Sequence, residues 1–197
     1  MDKSILTKEE VIKITNEYYI SYYCKNDICV LTDYNYANDY IEFPDNNGNL
    51  IKYISNTCSY NNIETDNCYS INCNNDKDCL SNKCYKSHCM FNNETEIIHC
   101  DDIYIKPTIL KSKSSYMHCG KAYGDTCKYD DECSSKQCEN NYCLMQKNGP
   151  SDSEGMGIAF ELLIYIFIFI VIILLITLII YVLYKIYNKY HKIKSKD

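Results

Sequence analysis

Residues 127–143 read CKYDDECSSKQCENNYC, and the same cysteine spacing occurs at 73–89, as CNNDKDCLSNKCYKSHC. Both stretches are C-x5-C-x4-C-x4-C, offset by 54 residues. They also share an aspartate (Asp76, Asp130), an acid before the second cysteine (Asp78, Glu132) and a serine after it (Ser81, Ser135). This predicts an internal duplication, each copy a small module of two disulfides built from Cys73, Cys79, Cys84 and Cys89 or from Cys127, Cys133, Cys138 and Cys143. Between the cysteines of the first copy nearly every residue is polar, Leu80 and Tyr85 excepted. Such a segment assembles no apolar core, so covalent closure must hold it, at roughly 2–4 kcal/mol per bridge. Four cysteines allow three pairings, and the spacing leaves the choice open.

Six cysteines remain of the 14. Cys24 and Cys29 are near enough to close across a turn. Cys58, Cys68, Cys100 and Cys119 flank the modules and are positioned to tie them to each other or to the N-terminal region. The expectation is seven bridges and no free thiol. Zinc is the rival reading, because His88, His99 and His118 each precede a cysteine. Structural zinc sites usually gather ligands through C-x2-C, which this chain lacks, and the histidines sit at different places relative to the two copies. Disulfides are therefore expected, with no metal and no cofactor.

Further along, residues 158–184 read IAFELLIYIFIFIVIILLITLIIYVLY. The one charge is Glu161, near the start of the stretch. From Leu162 to Tyr184 the run is about 34 Å long as a helix, enough to cross a bilayer. After it comes KIYNKYHKIKSKD, with five lysines and Asp197, net +4. Lysine excess beside a span stays cytoplasmic, so the tail is expected inside and the cysteine-rich part outside, at the plasma membrane or a secretory-pathway membrane. Residues 1–157 carry 15 lysines against 24 acids, net −9. That gives no counterion-release drive toward nucleic acid or anionic lipid. Arginine and tryptophan are absent while Asn, Ile, Tyr and Lys abound, a composition that matches an AT-rich coding genome and discounts arguments from the 21 tyrosines.

The rest of the chain reads more coarsely. Thr7 and Glu10 have capping-box spacing, which predicts a short helix over 8–18. Residues 18–23 and 28–32 are rich in β-formers, and DYIEF and NLIKYI around PDNNGN predict a β-hairpin across 39–54. The expected organisation is an N-terminal region at 1–57, module 1 at 58–100, a cysteine-free connector at 101–118 and module 2 at 119–143. A juxtamembrane linker at 144–157, the transmembrane helix at 158–184 and a basic cytoplasmic tail at 185–197 complete it. The fold class is a small disulfide-rich, β-rich ectodomain with two duplicated four-cysteine modules plus one transmembrane α-helix. Asn93-Glu94-Thr95 is a sequon, which makes Asn93 a candidate N-glycosylation site.

The start MDKSILTKEEVIKITNEYY has no apolar stretch of signal-peptide length. Three routes accommodate this: a native chain that begins further upstream, a terminal helix acting as a reverse signal-anchor, or a tail anchor with a cytosolic head. The first is the expectation.

The block 68–84, CYSINCNNDKDCLSNKC, the block 116–138, YMHCGKAYGDTCKYDDECSSKQC, and GPSDSEG before a single span resemble cysteine-rich single-pass surface membrane proteins of anaerobic gut fungi. The likeness covers most of 40–160. It implies a surface-anchored protein that starts with a signal peptide, and it brings no activity or binding residue with it. A lesser resemblance is to poxvirus entry-fusion membrane proteins, which share the cysteine-rich ectodomain and C-terminal span but not the duplicated module.

No Gly-rich phosphate loop, G-x-S-x-G, H-E-x-x-H or catalytic-cysteine context occurs. Asp101-Asp102 and Asp130-Asp131-Glu132 are carboxylate clusters, a type more often solvated than catalytic. The expected role is non-catalytic: cell-surface binding or adhesion toward an extracellular protein or glycan. A structural surface coat without a specific ligand, or a viral entry-type protein, is the alternative.

Overall fold

The structure, a computed structural model, describes residues 4–33, 38–95, 97–146, 149–150 and 154–194. Its elements are β1 (Ile5–Thr7), α1 (Lys8–Ile12), β2 (Ser21–Lys25), β3 (Ile28–Thr32), β4 (Tyr40–Pro44), β5 (Leu50–Ile54) and α2 (Tyr60–Glu64). There follow β6 (Cys84–Tyr85), β7 (His88–Cys89), β8 (Ile98–Ile105), β9 (Ser114–Lys121), β10 (Cys138–Glu139), β11 (Tyr142–Cys143) and α3 (Glu154–Lys194). The chain divides into two units. One holds residues 1–106 and 113–150, the other 107–112 and 151–197.

The first unit is built on an antiparallel sheet of order β1-β3-β2-β8-β9. Strand alternation separates its two faces. Tyr22, Cys24, Cys29, Cys100 and Met117 pack with Val11 of α1 on one side. On the other side Tyr23, Ile97 and Ala122 meet Ile41 and Phe43 of the β4–β5 hairpin and Leu80 of module 1. Two disulfides cross the first face between directly opposed residues: Cys24–Cys29 joins β2 to β3, and Cys100–Cys119 joins β8 to β9, each with Cα atoms 4.0 Å apart. Asn26 and Asp27, both with positive φ, make the tight turn that brings Cys24 back to Cys29.

The modules follow one plan. Cysteines pair first with third and second with fourth: Cys73–Cys84 and Cys79–Cys89, then Cys127–Cys138 and Cys133–Cys143. A 3-10 turn (Asp76–Asp78, Asp130–Glu132) precedes the second cysteine, and a two-residue turn with positive φ (Lys86-Ser87, Asn140-Asn141) closes the terminal hairpin. The shared aspartate has a structural task in each, since Asp76 and Asp130 accept the backbone N–H of Cys84 and Cys138 through Oδ1. Each module docks on a strand end by the same bond. Leu80 N donates to the Ile54 carbonyl of β5, and Ser134 N to the Lys121 carbonyl of β9, both at 3.0 Å.

Three expectations require correction. The N-terminal helix keeps its Thr7–Glu10 capping box but ends at Ile12 rather than near 18. Asn16, Tyr18 and Tyr19 take positive φ, and Asn16 pairs with Ser115 of β9 in both directions, so sheet pairing overrides helix continuation. The supposed connector 101–118 lies mostly in β8 and β9, which pair over eight residues each. Lastly, of the four flanking cysteines only Cys100 and Cys119 join one expected module range to the other; Cys58 and Cys68 pair with each other and tie no module to another or to the N-terminal region. Cys58–Cys68 closes a local loop around α2, and Cys100–Cys119 lies within the sheet. The β-hairpin over 39–54 and the Cys24–Cys29 closure form as expected. All 14 cysteines are paired.

In the second unit, Thr108 and Lys111 pair across a turn, and α3 runs for 41 residues, about 62 Å. Within it Ala159–Ile186 has mean hydropathy 3.5 and is long and apolar enough to cross a membrane. The Thr177 hydroxyl bonds the Leu174 carbonyl at 2.9 Å, so this polar group is satisfied inside the helix. The helix extends beyond the expected 158–184 at both ends and takes in most of the basic tail. Of the expected linker 144–157, residues 147–148 and 151–153 lie outside the described residues, and 154–157 belong to α3.

Candidate functional site

A groove of about 550 Å³ opens on the hairpin side of the sheet. Its floor is Tyr23, Ile97 and Ala122. One part of its lining is the loop closed by Cys58–Cys68, where Ser59 caps α2 by accepting the Asn62 N–H at 3.3 Å. Another is the end of module 2, where Gly124 N donates to the Cys143 carbonyl at 2.8 Å. The corresponding bond at module 1 runs from Cys58 N to the Cys89 carbonyl at 2.9 Å. The groove thus touches the closing edge of module 2 directly and that of module 1 only through Cys58.

Gly124 is required where it stands. Its φ is +84°, and its α-carbon faces the Phe91 ring, which an added Cβ would meet at 3.7 Å. Around the groove, hydroxyl and amide side chains (Ser59, Asn62, Asn67, Ser70) alternate with aromatic ones (Tyr69, Phe91, Tyr123, Tyr142). Among the described residues lining it, none is charged at neutral pH. Residues 1–157 as a whole carry net −9.

The titratable residues singled out in the sequence lie elsewhere. Asp101 and Asp102 are both buried but point to opposite faces of β8. His99 Nδ1 lies 3.2 Å from Asp101 Oδ1, with the Tyr23 ring packed edge-on against the imidazole at 4.5 Å. Burial, aided by the Asp101 charge, pushes the Tyr23 phenol well above its ordinary range. Burial also raises the Asp102 carboxyl; the Ser115 hydroxyl opposes this, and the charges of Asp101 and Glu17 add to it. In module 2, Asp130 caps Cys138, Asp131 pairs with Lys136 at 3.1 Å and Glu132 with Lys121 at 3.3 Å. These carboxylates are dispersed into structural contacts rather than gathered at one atom.

The three flagged histidines do not converge either. His88 bonds Ser70 at 3.1 Å, His118 bonds the Asp131 carbonyl at 3.1 Å, and His99 is in the core. The cysteines beside them are all oxidised. The sulfurs of Cys24, Cys29 and Cys100 lie within 4.8 Å of one another because two disulfides sit side by side. Asn93 is exposed in a turn, where Asn92 Oδ1 accepts the Glu94 N–H at 3.0 Å and the Asn92 amide bonds the Ser81 carbonyl.

Sequence reasoning did not find the groove. Its residues come from five separate stretches of the chain, which strand pairing and disulfides together bring into one place. Compared with protein-family models, curated proteins and solved structures, the chain matches none of them.

Proposed function

We propose that this is a non-catalytic, single-pass surface protein whose disulfide-stapled head faces outward and binds an extracellular ligand, in a role of recognition or adhesion. The membrane is the plasma membrane or one of the secretory pathway. The lysine-rich end of α3 supports a cytoplasmic C-terminus, and seven bridges suit an oxidising compartment. Asn93, exposed in its turn, is the proposed glycan acceptor. The observation that carries the binding role is the uncharged groove of about 550 Å³ between stapled segments, within the ~300–1,000 Å³ of small-ligand sites. Covalent closure fixes its edges in advance, so little ordering entropy is lost on binding.

The test is adhesion of cells displaying the full chain to immobilised extracellular proteins and polysaccharides, against cells displaying none. Saturable, competable adhesion to one class supports recognition. Uniform absence of adhesion favours the structural coat instead.

A further inference from the structure

We infer that the groove takes a neutral saccharide chain, with sugar rings stacked on Tyr69 and Tyr123 and sugar hydroxyls met by the amides of Asn62 and Asn67; this deepens the binding role proposed above and rests on it. The lining excludes the other ligand classes by chemistry. A charged ligand would lose hydration without gaining a countercharge from the described lining, none of whose residues carries one. A wholly apolar ligand would take the exposed amides of Asn62 and Asn67 out of water without offering them a hydrogen bond in exchange, although Asn67 also donates to Thr65 at 3.0 Å. A pyranose matches both halves of the surface, with C–H faces that stack on aromatic rings and a rim of hydroxyls that exchange hydrogen bonds with amides.

The placement of the aromatics supports this. Tyr69 follows directly on the bridged Cys68 and is 91% exposed. Tyr123 immediately precedes Gly124 at the edge of module 2 and is 47% exposed. Phe91 and Tyr142 are half-buried between the core and the opening. An aromatic ring left in water beside a bridged cysteine offers apolar area on a rigid mount, so stacking on it orders little else. The amides of Asn62 and Asn67 are exposed on α2 and at the end of the same stapled loop.

The experiment uses the full chain in phospholipid nanodiscs, with the seven disulfides verified by mass. It is titrated calorimetrically with neutral gluco-, manno-, xylo- and chito-oligosaccharides and, separately, with sulfated and uronic-acid oligosaccharides. At least one neutral series should bind with little dependence on salt. Tyr69→Ala and Tyr123→Ala should each weaken it by about tenfold. Tyr60→Ala, an exposed tyrosine outside the groove, should leave it unchanged. Preference for the charged series overturns the inference. So does neutral binding that ignores Tyr69 and Tyr123, which would leave a saccharide-binding head with its site elsewhere. No saccharide binding, while displaying cells still adhere to an immobilised protein, refutes the ligand class but keeps the binding role. Failure of both assays removes the two together.

Discussion

Asp130 accepts the backbone N–H of Cys138 at 2.7 Å, across the 3-10 turn and the second cysteine that separate them. Asp76 does the same for Cys84 at 2.8 Å. The carboxylate holds the backbone of the third cysteine where it meets the first. Asp130→Ala should therefore speed hydrogen exchange at the Cys138 amide by about tenfold, as expected when a charge-assisted bond is lost. Asp131→Ala, which removes only the Lys136 pair, should leave that amide unchanged. Equal effects of the two substitutions would mean that net charge, not the bond, matters.

Gly120 sits where β9 meets module 2. An added Cβ would lie 2.5 Å from the Glu132 carbonyl oxygen and 2.8 Å from Ser134 N, both backbone atoms. Neither can yield without shifting the module, so Gly120→Ala should destabilise the head by about 2 kcal/mol, read as a lowered thermal midpoint. The equivalent change at Gly48, which has open space around it but a φ of +83°, should act through backbone strain alone and cost less, about 1 kcal/mol.

Asp102 gives a pH signature with a definite sign. Its carboxyl is raised above 3.8 chiefly by burial, so the unfolded chain loses this proton first as pH rises. The folded state then binds more protons, and stability falls through the window from about 3.8 up to the raised value. Asp102→Asn should stabilise the head at neutral pH, with the gain vanishing below that window. A gain that persists at low pH would show that the asparagine acts through packing instead.

Bridges differ in their access to a reductant. Cys24–Cys29, Cys79–Cys89 and Cys133–Cys143 are buried at both ends, whereas Cys58, Cys68, Cys84, Cys119 and Cys138 are half-buried. Thiol–disulfide exchange needs an in-line approach to a sulfur, so limiting reductant should open Cys58–Cys68, Cys73–Cys84, Cys100–Cys119 and Cys127–Cys138 before the three bridges buried at both ends. Peptide mapping after stepwise alkylation reads the order. Early loss of Cys24–Cys29 would contradict it.

Much of this architecture was legible in the chain. The two C-x5-C-x4-C-x4-C stretches announced their modules because repetition of spacing is visible without any core. The β4–β5 hairpin showed in its alternation and its turn residues. What stayed hidden was the centre of the sheet. In β8, His99, Asp101 and Asp102 are buried within a strand that would otherwise alternate as apolar, so the segment read as a polar connector. The true C-terminal end of α1 was hidden for a related reason, because the pairing of Asn16 with Ser115 spans 99 residues. The groove was invisible because hydroxyls, amides and tyrosines are common in this composition and acquire meaning only when folding gathers them.

The measurement that bears most directly on the whole account is labelling of intact cells displaying the full chain with a membrane-impermeant maleimide, before and after reduction. A stapled head outside the membrane predicts no labelling before reduction and up to 14 modified cysteines after it, without permeabilisation. Thiols that react without reduction, and only once the membrane is opened, would contradict both the disulfide scaffold and the outward orientation.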